Sequence, residues 1–381
     1  MSIKYEQKLT ERGIFMTLDL IKPEKLRRGD KIATVSLSWG GAGDAEILWR
    51  YNQGKERLEN EFGLVVVEME NTLKGTEFVY KHPEKRAEDL MNAFRDPEIK
   101  GIFSCIGGNE SIRLLPYIDF NVIRDNPKVF IGYSDTTISH LFCMKAGISS
   151  FYGPSILAEF AENVEMFEYT KKAVLRTLFD DKKVGSEEPV GSEEPFELDE
   201  PVQLDEPIGL IMPSDGWTSE TLSWTIENKD KSRKLFPNNG YELLQGKGVV
   251  QGTLIGGCIE VLEMAKGSEI WPEKEKWQGS IIFFETSEDK PEPYYLECWL
   301  RSYGTLGILQ NAKALIFGKP YDNCFYEEYK KVIIKVVREE LELTELPIIL
   351  NMNFGHTAPM MILPYGAMAE IDCDRVEFSI L

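Results

Sequence analysis

Histidine is the scarcest of the residues that commonly move protons: 381 residues carry three, His82, His140 and His356. Any general base of the imidazole type is therefore one of these. Cysteine is also sparse. Cys105, Cys143, Cys258, Cys298, Cys324 and Cys373 form no Cys-x-x-Cys pair and mostly have apolar neighbours, which excludes a zinc-ribbon or thioredoxin motif and reads as buried free thiols. No unbroken apolar run is long enough to span a bilayer. The first residues, Met1-Ser2-Ile3-Lys4-Tyr5-Glu6-Gln7-Lys8, place charges where a secretory signal has its apolar core. A cytoplasmic protein without a membrane partner is expected. Positive charge is short as well, with 43 Lys and Arg against 63 Asp and Glu and a net charge of -20. That balance opposes a general nucleic-acid binder, because attraction to phosphates becomes repulsion. Neither a metal nor a cofactor is expected.

What is present is an ordinary globular composition, 43% hydrophobic and 28% charged, in a chain long enough for two cores. Residues 1–24 read as an N-terminal extension. From there apolar strands at 31–37, 64–67 and 99–106 alternate with amphipathic helices at 44–62 and 82–94. Such alternation predicts a parallel sheet covered on both faces, with functional groups beyond the carboxyl ends of its strands. After a helix at 164–179 comes a tandem repeat, Val184-Gly185-Ser186-Glu187-Glu188-Pro189 and then Val190-Gly191-Ser192-Glu193-Glu194-Pro195. The acidic, proline-bearing stretch 181–207 reads as a linker or exposed loop. The expected fold class is α/β: an N-terminal parallel-sheet α/β domain at 25–180, then a smaller strand-rich mixed α/β domain at 208–381. Within the second, the polar segment 213–248, with Trp217 and Trp224, is too long for a turn and is a candidate lid.

Chemistry gathers around Lys128-Val129-Phe130-Ile131-Gly132-Tyr133-Ser134-Asp135-Thr136-Thr137. An apolar strand stops at glycine and gives way to a serine before a helix, a turn that can expose a nucleophile beside backbone N–H groups. The same residues also suit a plain helix N-cap at Ser134 or Asp135. Gly107-Gly108 closes the preceding strand and suits either a close backbone approach or an ordinary turn. Among the histidines, His82 opens an exposed helix, and His140 lies six residues after Ser134, off its helical face. His356, in Phe354-Gly355-His356-Thr357-Ala358-Pro359, lies in a turn between apolar strands and is either a cleft residue or a hydrogen-bonded turn histidine. Glu285 ends the run Ile281-Ile282-Phe283-Phe284 and is either the acid that orients an imidazole or a strand-terminating acid.

Together these segments resemble the serine peptidase family of LD-carboxypeptidases and microcin C self-immunity proteins. The resemblance is carried in order by Ile106-Gly107-Gly108, Leu114-Leu115-Pro116-Tyr117-Ile118-Asp119, Asn126-Pro127-Lys128 through Thr137, and Phe151-Tyr152-Gly153-Pro154. It continues through Gly252-Thr253-Leu254-Ile255-Gly256-Gly257, Phe283-Phe284-Glu285, Gly355-His356 and Leu363-Pro364-Tyr365-Gly366. It implies that Ser134 is the nucleophile, His356 the base and then acid, and Glu285 the residue that orients it. Backbone N–H groups of Asp135, Gly107 and Gly108 would form the oxyanion hole, with the site between two domains, no metal, and a homodimer. The microcin immunity branch is the nearer by segment 212–224, which implies that Trp217 stacks on the base of a peptidyl-nucleotide; the alternative is that Trp217 packs its loop onto its own domain. Where the family has Gly-Gly-Asn, this chain has Gly256-Gly257-Cys258, and a thiol is a weak hydrogen-bond partner for substrate.

The implied reaction is hydrolysis, through an acyl-enzyme, of the amide joining a C-terminal aspartyl residue to a nucleotide phosphoramidate. The alternatives are removal of the terminal D-alanine from a murein tetrapeptide, and a non-catalytic protein that binds ligand in the cleft. With an ordinary histidine as base, activity falls as pH drops through about 6.5.

Overall fold

The computed structural model describes residues 9–10, 13–14, 18–180 and 208–381. The acidic repeat, the whole of 181–207, and most of the N-terminal extension lie outside the described residues. Among those described, no helix is long and apolar enough to cross a membrane. All six cysteines are free thiols: four are buried as expected, whereas Cys298 and Cys324 are partly exposed.

The first sheet contains β1 (Lys31–Val35), β2 (Val65–Glu68), β3 (Ile99–Ser104), β4 (Val129–Gly132) and β5 (Phe151–Tyr152). Their order is β5-β4-β3-β1-β2, every pair parallel. β4 is buried along its whole length, as a strand covered on both faces must be, and this is why its sequence is an unbroken apolar run. Covering helices include α1 (Leu48–Asn60), α2 (Pro83–Arg95), α3 (Thr137–Ala146) and α4 (Glu168–Leu178). Proline at the first turn of α2 lacks only an N–H that the helix would not use. Gly147, at φ 88°, ends α3 in the left-handed conformation that other residues resist.

Among the described residues the second sheet has eight strands, against six in the first, although its half of the chain reads as the smaller domain. They are β6 (Gly209–Leu210), β7 (Glu242–Gln245), β8 (Val249–Cys258), β9 (Ser280–Glu285), β10 (Ala314–Gly318), β11 (Ile348–Met352), β12 (Met368–Asp372) and β13 (Glu377–Ile380). The order is β7-β11-β10-β9-β8-β12-β13-β6. β8 to β11 form a parallel centre, and the outer strands are antiparallel.

The apolar stretch 360–373 is divided between the two sheets. Leu363–Pro364 leaves the second half of the chain and pairs antiparallel with β5 in the first sheet, while β12 stays in the second. The break falls at Pro364, which lacks an N–H for a ladder, and at Gly366, whose φ is 76°. Tyr365 pins this crossing: its N–H donates to the Ser150 carbonyl at 2.8 Å and its hydroxyl to the Gly256 carbonyl at 2.6 Å. One apolar cluster, including Ile138 and Phe142 of α3 with Ile259 and Leu262 of the second half, joins the two sheets.

His140 belongs to this joint. Its Nε2–H donates to the Gly132 carbonyl at 2.9 Å, its Nδ1 meets Ser150 Oγ at 2.9 Å, and its ring stacks on Tyr365 at 4.9 Å. Burial lowers its pKa to about 3. The folded protein therefore binds a proton here more weakly than the unfolded chain, and the stability this residue supports is lost as pH falls below about 6.5. At pH 5 the loss is about 2 kcal/mol. Urea melts at pH 7.5 and 5 should show a smaller pH effect in His140→Gln than in the parent, and equal effects would contradict this.

Candidate active site

Four segments that end parallel strands converge at one edge of the two sheets: Gly107-Gly108 after β3, Ser134 after β4, Glu285 at the end of β9, and His356 after β11. That is where a parallel α/β sheet leaves its loops free to hold ligands.

Ser134 follows an extended Tyr133 and has φ 61°. A non-glycine residue in this region costs on the order of 1 to 3 kcal/mol and persists only when its surroundings impose it. Here the Ser134 N–H donates to the Tyr152 hydroxyl at 3.1 Å. The next residue is anchored as well: Asp135 Oδ2 accepts from the Glu110 and Ser111 N–H groups at 2.9 and 2.8 Å. Neither Ser134 nor Asp135 caps the following helix with its side chain, so the N-cap alternative does not describe this turn. The Gly107 backbone lies against the serine, so close that a Cβ there would come within 2.9 Å of Ser134 Oγ.

His356 Nε2 is 3.0 Å from Ser134 Oγ, and its Nδ1–H donates to Glu285 Oε2 at 2.7 Å. Gly355, at φ 93°, makes this possible, because a Cβ there would fall 2.7 Å from the Glu285 carboxylate. The second oxygen, Glu285 Oε1, accepts from the Tyr152 hydroxyl at 2.5 Å. Tyr152 thus bridges the Ser134 backbone and Glu285, a role that its place in a two-residue strand does not advertise. A further carboxylate, Glu288 Oε2, approaches His356 Nε2 at 3.0 Å. Burial disfavours a charged imidazole, yet Glu285 and then Glu288 outweigh it and hold the His356 pKa well above its ordinary value. The Glu288 carboxyl is lowered to about 2 by its hydrogen bond to His356. The acid limb expected from an ordinary histidine is corrected upward accordingly.

Ser134, His356, Gly107, Gly108 and Glu288 open on a cavity of about 340 Å³. Trp39 and Trp224 line it, their rings stacked 6.1 Å apart at 28°. The Arg50 guanidinium lies 4.7 Å over Trp224 and is fixed by the Leu157 carbonyl and Asn163 Oδ1 at 2.5 and 2.7 Å. Residues 219–222 and Trp224 of the long polar segment supply one wall.

Two residues expected to touch substrate do not reach this cavity. Trp217 pairs through a two-residue ladder with Phe236, 5.7 Å ring to ring, and carries the Lys319 ammonium 4.4 Å above its face. Contacts with Phe236 and Lys319 are of the kind the alternative requires, in which Trp217 packs its loop onto its own domain. Cys258 lies beside Glu285 in the parallel ladder, fully buried, with its thiol 3.4 Å from Glu260 Oε2. Trp39 and Glu288 are site residues that the sequence did not suggest, while Trp224, within the candidate lid, and Tyr152, within a segment that carries the resemblance, had been given no role of their own. Trp39, between the end of a strand and Gly40-Gly41, also carried a local signal. Among the described residues no group of three or more His, Cys, Asp or Glu is arranged to hold a metal ion.

A serine, an imidazole and a buried carboxylate in one hydrogen-bonded line form the arrangement of the serine hydrolases. The chain belongs to the LD-carboxypeptidase family, peptidase S66: its N-terminal domain model matches residues 32–153 and its C-terminal domain model residues 251–371. A putative carboxypeptidase of Bacillus subtilis, YocD, is 30% identical over 91% of this chain and 95% of its own length. The microcin C7 self-immunity protein MccF of Escherichia coli is 28% identical over 78% of each. A structure of MccF in complex with aspartyl sulfamoyl adenosine matches with a TM-score of 0.76 at 26% identity, covering 94% of this chain and 97% of that one. The MccF-like protein of Streptococcus pneumoniae in complex with AMP matches with a TM-score of 0.80 at 31% identity, covering 93% and 99%.

Tyr152→Phe leaves a buried Glu285 oxygen without its donor and the Ser134 N–H without its acceptor. A loss on the order of 1 to 3 kcal/mol is expected. Thermal melts followed by circular dichroism measure it, and an unchanged midpoint would contradict the bridging role.

Proposed function

We propose that this protein is a serine amidohydrolase of the microcin C immunity type, cleaving the amide between a terminal aspartyl residue and a nucleotide phosphoramidate. The observation that carries the reading is the line from Ser134 Oγ through His356 to buried Glu285, opening on an aromatic-walled cavity. Ser134 Oγ attacks the carbonyl carbon and gives its proton to His356 Nε2. Backbone N–H groups of Asp135, Gly107 and Gly108 stabilise the oxyanion. The tetrahedral intermediate collapses as His356 protonates the departing nitrogen. Water, activated by the same imidazole, then hydrolyses the Ser134 ester, while Glu285 holds Nδ1–H and stabilises the imidazolium at each transfer.

For the base of the nucleotide the reading now favours Trp224 and Trp39 over Trp217, since these two rings face the cavity. The ligands of the two solved relatives, aspartyl sulfamoyl adenosine and AMP, support a nucleotide subsite. A murein tetrapeptide has no base to stack, so the tryptophan pair weighs against the LD-carboxypeptidase alternative.

Mass spectrometry after incubation with an aspartyl-nucleotide analogue or with murein tetrapeptide separates the readings. Cleavage of the nucleotide conjugate alone is expected, falling about 10³-fold or more in Ser134→Ala. Trp224→Ala should raise KM about tenfold, in line with about 1–3 kcal/mol per stacked base, and Trp217→Ala should not. Because the base must be neutral and its pKa is raised, the acid limb of kcat/KM should lie above about pH 6.5. Release of D-alanine alone would support the murein reading, turnover of neither a binding protein, and a limb at or below pH 6.5 would contradict His356 as the base.

A further inference from the structure

Glu288 is not needed by the line from Ser134 to Glu285, yet it occupies the nitrogen on which that line depends. His356 Nε2 is 3.0 Å from Ser134 Oγ and 3.0 Å from Glu288 Oε2. An imidazole nitrogen presents either a lone pair or an N–H. As a base, Nε2 turns its lone pair to the serine proton, and a carboxylate in the same place meets it with like sign. As an imidazolium, it donates to Glu288 and cannot accept from Ser134. The productive serine contact, in which Nε2 accepts, and the Glu288 contact therefore belong to opposite protonation states, and with Glu288 docked the site is at rest.

The groups that face His356 are Glu285 from β9, Glu288 from the loop after it, and Ser134 and Tyr133 from the turn after β4, the Tyr133 ring 5.2 Å away edge-on. None can replace His356 as the counter-charge of Glu288. The nearest cation in sequence, Lys290, is paired with Asp322 at 2.8 Å. Across the cavity Arg233 is committed to Glu162, and Arg50 to the Leu157 carbonyl and Asn163. The Glu288 side chain is 60% exposed and lines the same cavity as Ser134, so leaving His356 requires no unpacking. Among the described residues, the cavity lining holds Glu159, Glu162, Glu220 and Glu288 against Arg50 and Arg233. Because Glu288 Oε2 and Ser134 Oγ share His356 Nε2 as a neighbour, a cation two bonds from the scissile carbonyl falls within reach of the carboxylate.

We propose that Glu288 selects acyl groups that carry a free α-ammonium: the ammonium takes the carboxylate from His356 Nε2 and so frees that nitrogen for Ser134. This rests on the reading of Ser134 and His356 as nucleophile and base. On release of Glu288 the imidazolium gives its Nε2 proton to water, and the neutral ring then accepts the serine proton. Specificity and activation thus pass through one carboxylate.

Calorimetric titration of the Ser134→Ala protein tests the subsite without turnover. Aspartyl sulfamoyl adenosine should bind at least tenfold more tightly than its N-acetyl form, and the difference should fall below twofold in Ser134→Ala/Glu288→Gln. In otherwise unaltered protein, Glu288→Gln should abolish the kcat/KM preference for the free amine and move the acid limb for the N-acetyl substrate to lower pH. Equal affinities for the two ligands, no binding of either, or a preference that survives Glu288→Gln would overturn the proposal. So would tight binding of N-acetyl-lysyl sulfamoyl adenosine alone, which would place the charge on the side chain. A Glu288-dependent preference in binding, with neither compound cleaved by the parent, would refute the nucleophile and leave the ammonium subsite standing. Cleavage without preference would do the reverse.

Discussion

The structure depends on one buried carboxylate. Glu285 lies at the end of a central strand with no exposed side-chain surface, and neither an arginine nor a lysine is paired with it among the described residues. Taking such a group out of water is costly unless hydrogen bonds replace hydration. Its two oxygens are served from two different parts of the fold: Oε2 by His356, from the loop after β11, and Oε1 by Tyr152, from the edge of the first sheet. Satisfying this one group fixes the second sheet against the first. The same tyrosine then holds the Ser134 N–H, so the conformation of the serine turn and the orientation of the imidazole are set by a single acid.

Much of this architecture was legible in the chain because burial writes itself into composition. β4 and β9 are buried on both faces and read as uninterrupted apolar runs, and the amphipathic helices between strands follow from the 3.6-residue period. Ser134, His356 and Glu285 stood out as candidates because each ends or follows such a run, and the family resemblance, not their position, implied their roles. What the chain did not disclose depends on contacts distant in sequence. Tyr152 acts across 133 residues on Glu285, and nothing local distinguishes it from a core tyrosine. Trp217 and Trp224 occupy one polar segment, and only the pairing of Gly216–Trp217 with Phe236–Pro237 turns the first away from the cavity. The break at Pro364 and Gly366 is visible in the sequence, but the return of Leu363–Pro364 to the first sheet is a fact of topology.

The site also illustrates why an ordinary pKa is a poor guide in a cleft. His356 is buried, which by itself would favour the neutral ring, as it does at His140. Two carboxylates reverse the sign. One is fixed and buried, the other exposed and free to move, so the field at the imidazole can change with what occupies the cavity. The departure at Cys258 bears on the site differently from an altered substrate contact, because the thiol lies behind Glu285 and does not face the cavity.

The central claim is that Ser134 carries the acyl group between the two halves of the reaction. Intact-mass and peptide-mapping spectrometry of protein acid-quenched during turnover of an aspartyl-nucleotide analogue tests it most directly. The account predicts an added aspartyl mass on the peptide containing Ser134, lost on chase and absent in Ser134→Ala. Sustained turnover in the Ser134→Ala protein, or an acyl group mapped to any other residue, would contradict it.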